Sequence, residues 1–299
     1  MSRSPKNPKK TATWLKIVIW MLAIFLMGAS VVYQRKTGPT HPKRDSFVAG
    51  GTTHSCRLVR SGITTTPAQV SIPDPGGETS AILEFRRYPT QEDFNSVPMT
   101  SSDGHLIGDL PQQPAAGKIE YSITINTPEG PIHLPSEGEE TVILRYKDPV
   151  PASVLVPHIL LMFFAVLFGI RTGLCALFAP SGMRWSAWTT LAGMTVGGMV
   201  LGPIVQKYAF GAYWTGWPFG GDLTDNKVLI MWIVWIVACS AMALLPSKKA
   251  WLGRVLVVAA AAVMTVVYLI PHSMRGSELS YEAVDSGVEA SQAIGTSDE

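Results

Sequence analysis

With 299 residues the chain has room for two domains, and its apolar residues, 47% of the total, are so unevenly distributed that class has to be read segment by segment. Its three cysteines, Cys56, Cys175 and Cys239, fall in different segments, which excludes a disulfide framework, and no Cys-x-x-Cys-His is present, which excludes a c-type cytochrome. The net charge of +2 conceals basic and acidic residues segregated along the chain, and no nucleic-acid partner is expected.

Five apolar runs approach the roughly 20 residues that span a bilayer: Trp14–Tyr33, Val154–Ala179 (interrupted by Arg171), Trp185–Val205, Val228–Leu245 and Trp251–Ile270. Arg3, Lys6, Lys9, Lys10 and Lys16 precede or enter the first. Arg171 and Arg184 flank the connection after the second, and Lys248, Lys249 and Arg254 fill or border the one after the fourth. The positive-inside rule makes these segments cytoplasmic and the alternate ones external, a consistent scheme for five crossings. Residues 1–13 are then a cytoplasmic basic segment and 14–33 an uncleaved anchor. A signal peptide ending near Gly28-Ala29-Ser30 is the alternative.

Residues 34–54 contain Gly, Pro, Thr and charge and read as a linker. From 55 to 148 the pattern becomes period-two: Ala81/Leu83/Phe85 against Ile82/Glu84/Arg86, Ile119/Tyr121/Ile123/Ile125 against Glu120/Ser122/Thr124, and Val142/Leu144/Tyr146 against Arg145/Lys147. Turn signals at Asp74-Pro-Gly-Gly77, Ser101-Ser-Asp-Gly104, Pro111 to Pro114 and Pro128-Glu-Gly-Pro131 divide this stretch into about seven strands, predicting an all-β sandwich. The segment Met99 to Tyr121 resembles the fibronectin type III and immunoglobulin-like modules of bacterial surface proteins. That resemblance implies an immunoglobulin-like sandwich that binds or spaces.

After Pro149 and Pro151 a four-helix transmembrane domain is predicted over 154–270. Gly193/Gly197 and Gly198/Gly202 are small-xxx-small pairs suited to close helix packing. The tail, 271–299, carries six carboxylates against Arg275 and reads as acidic and disordered. The expected architecture is a membrane α-helical bundle of about five transmembrane helices with an extracytoplasmic all-β immunoglobulin-like sandwich. The N-terminus would face the cytoplasm and the C-terminus the outside of a bacterial inner membrane.

The densest stretch of chemistry is the external loop between the third and fourth runs, with Tyr213, Trp214, Trp217, Asp222, Asp225 and Lys227. The simplest reading is an aromatic belt with solvated charges, Asp225 or Asn226 capping the next helix. His158 and His272 are expected on the same side, where two neutral imidazoles could ligate a haem iron while the aromatic rings cover the porphyrin. Gly211-x-Tyr213-Trp214-x-x-Trp217, followed by Asp222 and Leu229-Ile230-x-Trp232, resembles the tryptophan-rich haem-handling loop of cytochrome c biogenesis membrane proteins. By that resemblance Trp214, Trp217 and Asp222 match the loop motif, and His158 and His272 the flanking ligands.

The tryptophans here are more widely spaced than the family's, and Asp222 does not directly follow the second. The whole chain also resembles an uncharacterised group of bacterial multi-pass membrane proteins. No phosphate-binding glycine loop, His-Glu-x-x-His or paired helical carboxylates occur, so an enzyme is not expected. Two functions remain: a ligand site at the outer mouth of the bundle, with haem as the candidate cofactor, or an accessory membrane protein whose sandwich binds a protein partner. The lipid bilayer is a partner in both.

Overall fold

The computed structural model describes residues 12–136, 138, 140–271 and 276–295. These divide into two compact units. A helical unit takes the chain up to Arg35 together with Ser153–Gly202 and Asn226–Pro271; a β-unit takes Lys36–Ala152, Pro203–Asp225 and the chain after Pro271.

The helices are α1 (Thr13–Thr37), α2 (Ala152–Phe178), α3 (Met183–Gly193), α4 (Gly202–Phe210), α5 (Leu223–Leu244) and α6 (Ala250–Leu269). Residues Met194–Leu201 form a π-helical segment joining α3 to α4, so Pro180–Phe210 counts as one apolar span. With the other four helices it makes five that are long and apolar enough to cross a membrane, which fits a multi-pass membrane protein. Mean hydropathy is 1.3 for this span and at least 2.2 for the others.

Within the helical unit the core gathers Met162, Ala165, Val166, Met194, Trp235 and Met264. Two indoles in it satisfy their N–H groups across helices: Trp235 donates to the Met264 sulfur at 3.1 Å and Trp232 to Thr195 Oγ1 at 2.9 Å. The glycine pairs allow close approach. A Cβ on Gly197 would lie 2.8 Å from the Leu161 Cβ, and one on Gly198 2.9 Å from Val228 Cγ1. Lys227, read from sequence as a solvated loop charge, is buried; its ammonium donates to the carbonyls of Ile270 at 2.6 Å and Pro271 at 3.1 Å, near the end of α6. Those carbonyls have no further helical turn to bond, so the cation satisfies acceptors the backbone leaves open.

The β-unit contains thirteen strands among its described residues. They are β1 (Lys43–Ala49), β2 (Thr52–Leu58), β3 (Ser61–Ile63), β4 (Ala68–Pro73), β5 (Ser80–Tyr88), β6 (Asn95–Pro98), β7 (Thr100–Ser102), β8 (His105–Leu110), β9 (Lys118–Thr127), β10 (Gly130–Leu134), β11 (Val142–Lys147), β12 (Glu278–Leu279) and β13 (Ile294–Gly295). One sheet runs β3-β11-β9-β5-β6 with β10 also on β9; another runs β4-β8-β7; β1-β2 and β12-β13 are separate pairs. All neighbours are antiparallel except β3 and β11.

The sequence alternation sets which face is buried. Ala81 and Leu83, Ile119 to Ile125 in steps of two, and Val142, Leu144 and Tyr146 enter one core with Phe47, Leu58, Val70, Ile72, Leu106 and Leu110 from the other sheets. Tyr121 and Tyr146 are fully buried, and each hydroxyl donates to a backbone carbonyl, that of Val59 and of Pro111 respectively. Burial pushes the Tyr146 phenol up to about 12.

Two sequence readings are corrected here. The stretch read as a linker supplies β1 and the first three residues of β2, a seven-pair hairpin that buries Phe47, Ala49, Cys56 and Leu58. Gly50 and Gly51, both at positive φ, make its turn, so the Gly that suggested looseness is a hairpin signal.

The tail also differs from expectation. Residues 276–295 form β12, a short helix α7 (Tyr281–Asp285) and β13, and they belong to the β-unit. Leu279, Tyr281 and Ala293 bury with Ala116. The Tyr281 hydroxyl accepts from the Lys118 amide at 3.1 Å and lies 2.9 Å from both Gln113 Oε1 and the Lys118 carbonyl. Arg87 pairs with Asp285, and Lys118 with Glu278. The carboxylates that read as solvating charge thus include two anchors, and an apolar residue every few positions supplies the rest.

Candidate functional site

The external loop is built around two carboxylates that sequence reasoning left in solvent. Asp222 and Asp225 are each 6% exposed. Asp222 is the residue before α5, and its Oδ1 accepts from the amides of Thr224 at 2.7 Å and Asp225 at 3.2 Å. It is therefore the N-cap, in place of Asp225 or Asn226. Its Oδ2 accepts from the Ser277 amide at 3.0 Å and from Thr215 Oγ1 at 3.2 Å. Asp225, one turn into the helix, accepts from the amides of Thr215 at 2.7 Å and Gly216 at 3.0 Å. Carboxylates in the first turn also face the positive end of the helix dipole.

Around this pair the β-unit closes a polar knot. Gln206, on α4, donates to Thr215 Oγ1 at 2.6 Å. Arg145, on β11, donates to the Ser277 carbonyl, and its guanidinium lies 4.4 Å over the Phe210 ring. Burial pushes the Arg145 pKa down, and the negative charges of Asp222 and Glu278 oppose that shift, so the cation is retained by its counter-charges. Gly276 is needed for this approach, since a Cβ there would sit 2.9 Å from Asp222 Oδ2. The arrangement ties a strand, a helix end, the loop and the chain after α6 into one hydrogen-bonded centre. Its carboxylate oxygens are turned on backbone amides, which makes the centre a clamp.

The aromatic residues of the loop face outward from that clamp. Tyr213 is 60% exposed, Trp217 68% and Phe219 83%. Trp214 is half-buried and donates its indole N–H to the Trp217 carbonyl at 3.1 Å, while the amides of Phe219 and Gly220 both return to the Gly216 carbonyl. Gly211, at φ +83, begins the loop at the end of α4, a backbone position that glycine takes without steric cost. Exposed rings therefore stand on a locally hydrogen-bonded turn.

The chain matches no family model and no curated protein.

Of the residues singled out from sequence, Tyr213, Trp214, Trp217 and Asp222 share the β-unit, while His158 lies on α2 in the helical unit. His158 Nδ1 donates to the Gly197 carbonyl at 2.8 Å, leaving Nε2 as the other ring nitrogen. His272 lies outside the described residues. Among the described residues no group of three or more His, Cys, Asp or Glu could hold a metal ion.

The members of the knot that sequence reasoning missed are Gln206, Thr215, Asp225, Ser277 and Arg145. Asp222-x-x-Asp225 at the start of an apolar run carries the spacing of a capping pair, which was a usable signal. Ser277 offered none, being one serine in a polar tail.

Proposed function

We propose that this chain is a non-enzymatic, multi-pass protein of a bacterial inner membrane, with an extracytoplasmic immunoglobulin-like β-domain that serves as an accessory or scaffold module by docking a protein partner. The observation that carries this reading is the pairing of a clamped loop with exposed Tyr213, Trp217 and Phe219. Aromatic side chains bring large contact area at small entropic cost, and they dominate the energetics of protein interfaces when they stand on rigid supports. The topology has independent support. The three stretches that make the β-unit are separated by two spans each, so an even number of crossings returns the chain to one side. The basic connections fall on the opposite side, as the positive-inside rule requires.

The test is a photo-crosslinking amino acid at position 217 or 219 of the full chain in its native membrane. Crosslinking to one recurrent protein supports docking. Crosslinks to lipid alone would assign the rings to the membrane interface and overturn it.

A second reading, haem handling, is favoured by one observation. An imidazole whose Nδ1–H is fixed by a carbonyl presents Nε2 in the orientation common to iron ligands. Purified protein would then show a Soret band that His158→Ala or His272→Ala abolishes, and a protein that stays colourless after haem addition refutes it.

A further inference from the structure

A second cluster lies in the helical unit, at the end where α1 begins, α2 finishes and α3 starts. Arg171 is 6% exposed and stands on α2 seven residues before the helix ends at Phe178, about 10 Å along the axis. Its guanidinium lies over the rings of both Trp20 and Trp185, 4.6 Å from each centroid. Stacking holds the group in place but satisfies none of its in-plane N–H donors. Nη1 reaches the Gly182 carbonyl only at 3.4 Å, and Nε, also buried, has no hydrogen-bond partner among the described residues. An arginine carries five such donors, and an unmet one in a dry setting is costly.

These donors border a cavity of about 210 Å³ lined by Lys16, Arg171, Cys175, Ser181, Gly182 and Trp185 among others. No carboxylate among the described residues lines it, so the two cations have no counter-charge from them there. Gly182 keeps the space open, because a Cβ there would meet Cys175 Sγ at 3.3 Å and Arg171 Nη2 at 3.4 Å. Lys16 is exposed, near the start of α1, and Trp185 is 48% exposed.

We propose that this cleft binds a phosphate group, carried by an anionic phospholipid headgroup or free in solution. A planar guanidinium held against two indoles keeps the N–H fork that pairs with phosphate oxygens. Lys16 adds a mobile second charge at the rim, and the neighbouring exposed apolar helix surface, which includes Leu177 and Phe178, suits acyl chains. An anion here would meet the free Arg171 donors, which a purely structural stacked arginine would leave unmet.

The test uses the full chain in detergent. Native mass spectrometry with phosphatidylglycerol against phosphatidylcholine reads the lipid source, and calorimetric titration with inorganic phosphate reads the free anion. Arg171→Gln removes the charge-assisted hydrogen bonds and is expected to lower affinity for the bound species about tenfold or more. Lys16→Gln, on an exposed side chain that folding does not need, is expected to lower it about threefold. Retention of phosphatidylglycerol over phosphatidylcholine assigns a lipid headgroup, and heat on phosphate addition assigns a soluble anion. The proposal is overturned if neither binds, if both lipids bind alike, or if binding survives Arg171→Gln unchanged. Should Arg171→Gln not fold, unchanged binding in Lys16→Gln overturns it and the expected loss upholds it.

Discussion

Replacing Asp222 by alanine removes one side chain from four hydrogen bonds of 3.2 Å or shorter, and its cost can be assembled from them. The cap on the amides of Thr224 and Asp225 is worth about 1 kcal/mol, within a range of roughly 0.5–2. The Ser277 amide, in a fully buried residue, loses its acceptor, which costs about 1–3 kcal/mol. Arg145 also loses one of the charges that offset its burial. The expected destabilisation of the β-unit is therefore about 2–4 kcal/mol. For a unit of this size that corresponds to a fall in Tm of about 5–15 °C.

Near-ultraviolet circular dichroism of the full chain in detergent, scanned with temperature, reports this transition, and proteolysis within 276–295 should accelerate in parallel. Asp93→Ala, at an exposed carboxylate, should leave Tm within about 1–2 °C of the parent. If Asp222→Ala behaves like Asp93→Ala, the clamp is not what holds the loop and the segment after α6 together.

Two further outcomes follow from the packing and the charges. Gly197→Val drives a side chain into the Leu161 Cβ, and overpacking of that kind should cost about 1–3 kcal/mol, read as a lower unfolding temperature of the helical unit; an unchanged temperature would mean that the helices can separate freely there. The Arg87 hydrogen bonds hold the carboxyls of Glu92 and Asp285 below their ordinary values of 4.5 and 3.8. A depressed folded-state pKa gives a contribution present above the unfolded value and lost as pH falls through the folded one, so what the Arg87 pairs add to docking of 276–295 should be present in full down to about pH 5 and weaken only below about 4. A fluorophore on Ser291→Cys would follow it, and loosening that began near pH 6 would show that another group controls the segment.

The sequence was most legible where one physical rule acts alone. Five runs of apolar residues had few readings other than spans, and strict alternation at Ile119 to Ile125 had to place one face inward. It was least legible where distant residues decide the outcome. Lys227 and Asp222 look solvated in any local window, because their partners, the Ile270 carbonyl and the Ser277 amide, lie 43 and 55 residues further on. The tail misled for a related reason: low hydrophobicity and net negative charge signal disorder only when no preformed surface awaits the segment, and here Lys118, Arg87 and Ala116 provide one. The aromatic residues of the loop stand out in the sequence, while the two carboxylates beneath them, Asp222 and Asp225, carry no local sign of burial.

Because the β-unit draws on three separated stretches, its completion is tied to the order of synthesis. Arg145 emerges from the ribosome first, two apolar spans pass before Asp222 follows, and two more pass before Ser277 arrives. Until then a guanidinium destined for burial lacks the Ser277 carbonyl to which it donates. A chain cut short before Ser277 would leave that centre open, with the face around Ala116 uncovered where Leu279, Tyr281 and Ala293 otherwise bury against it.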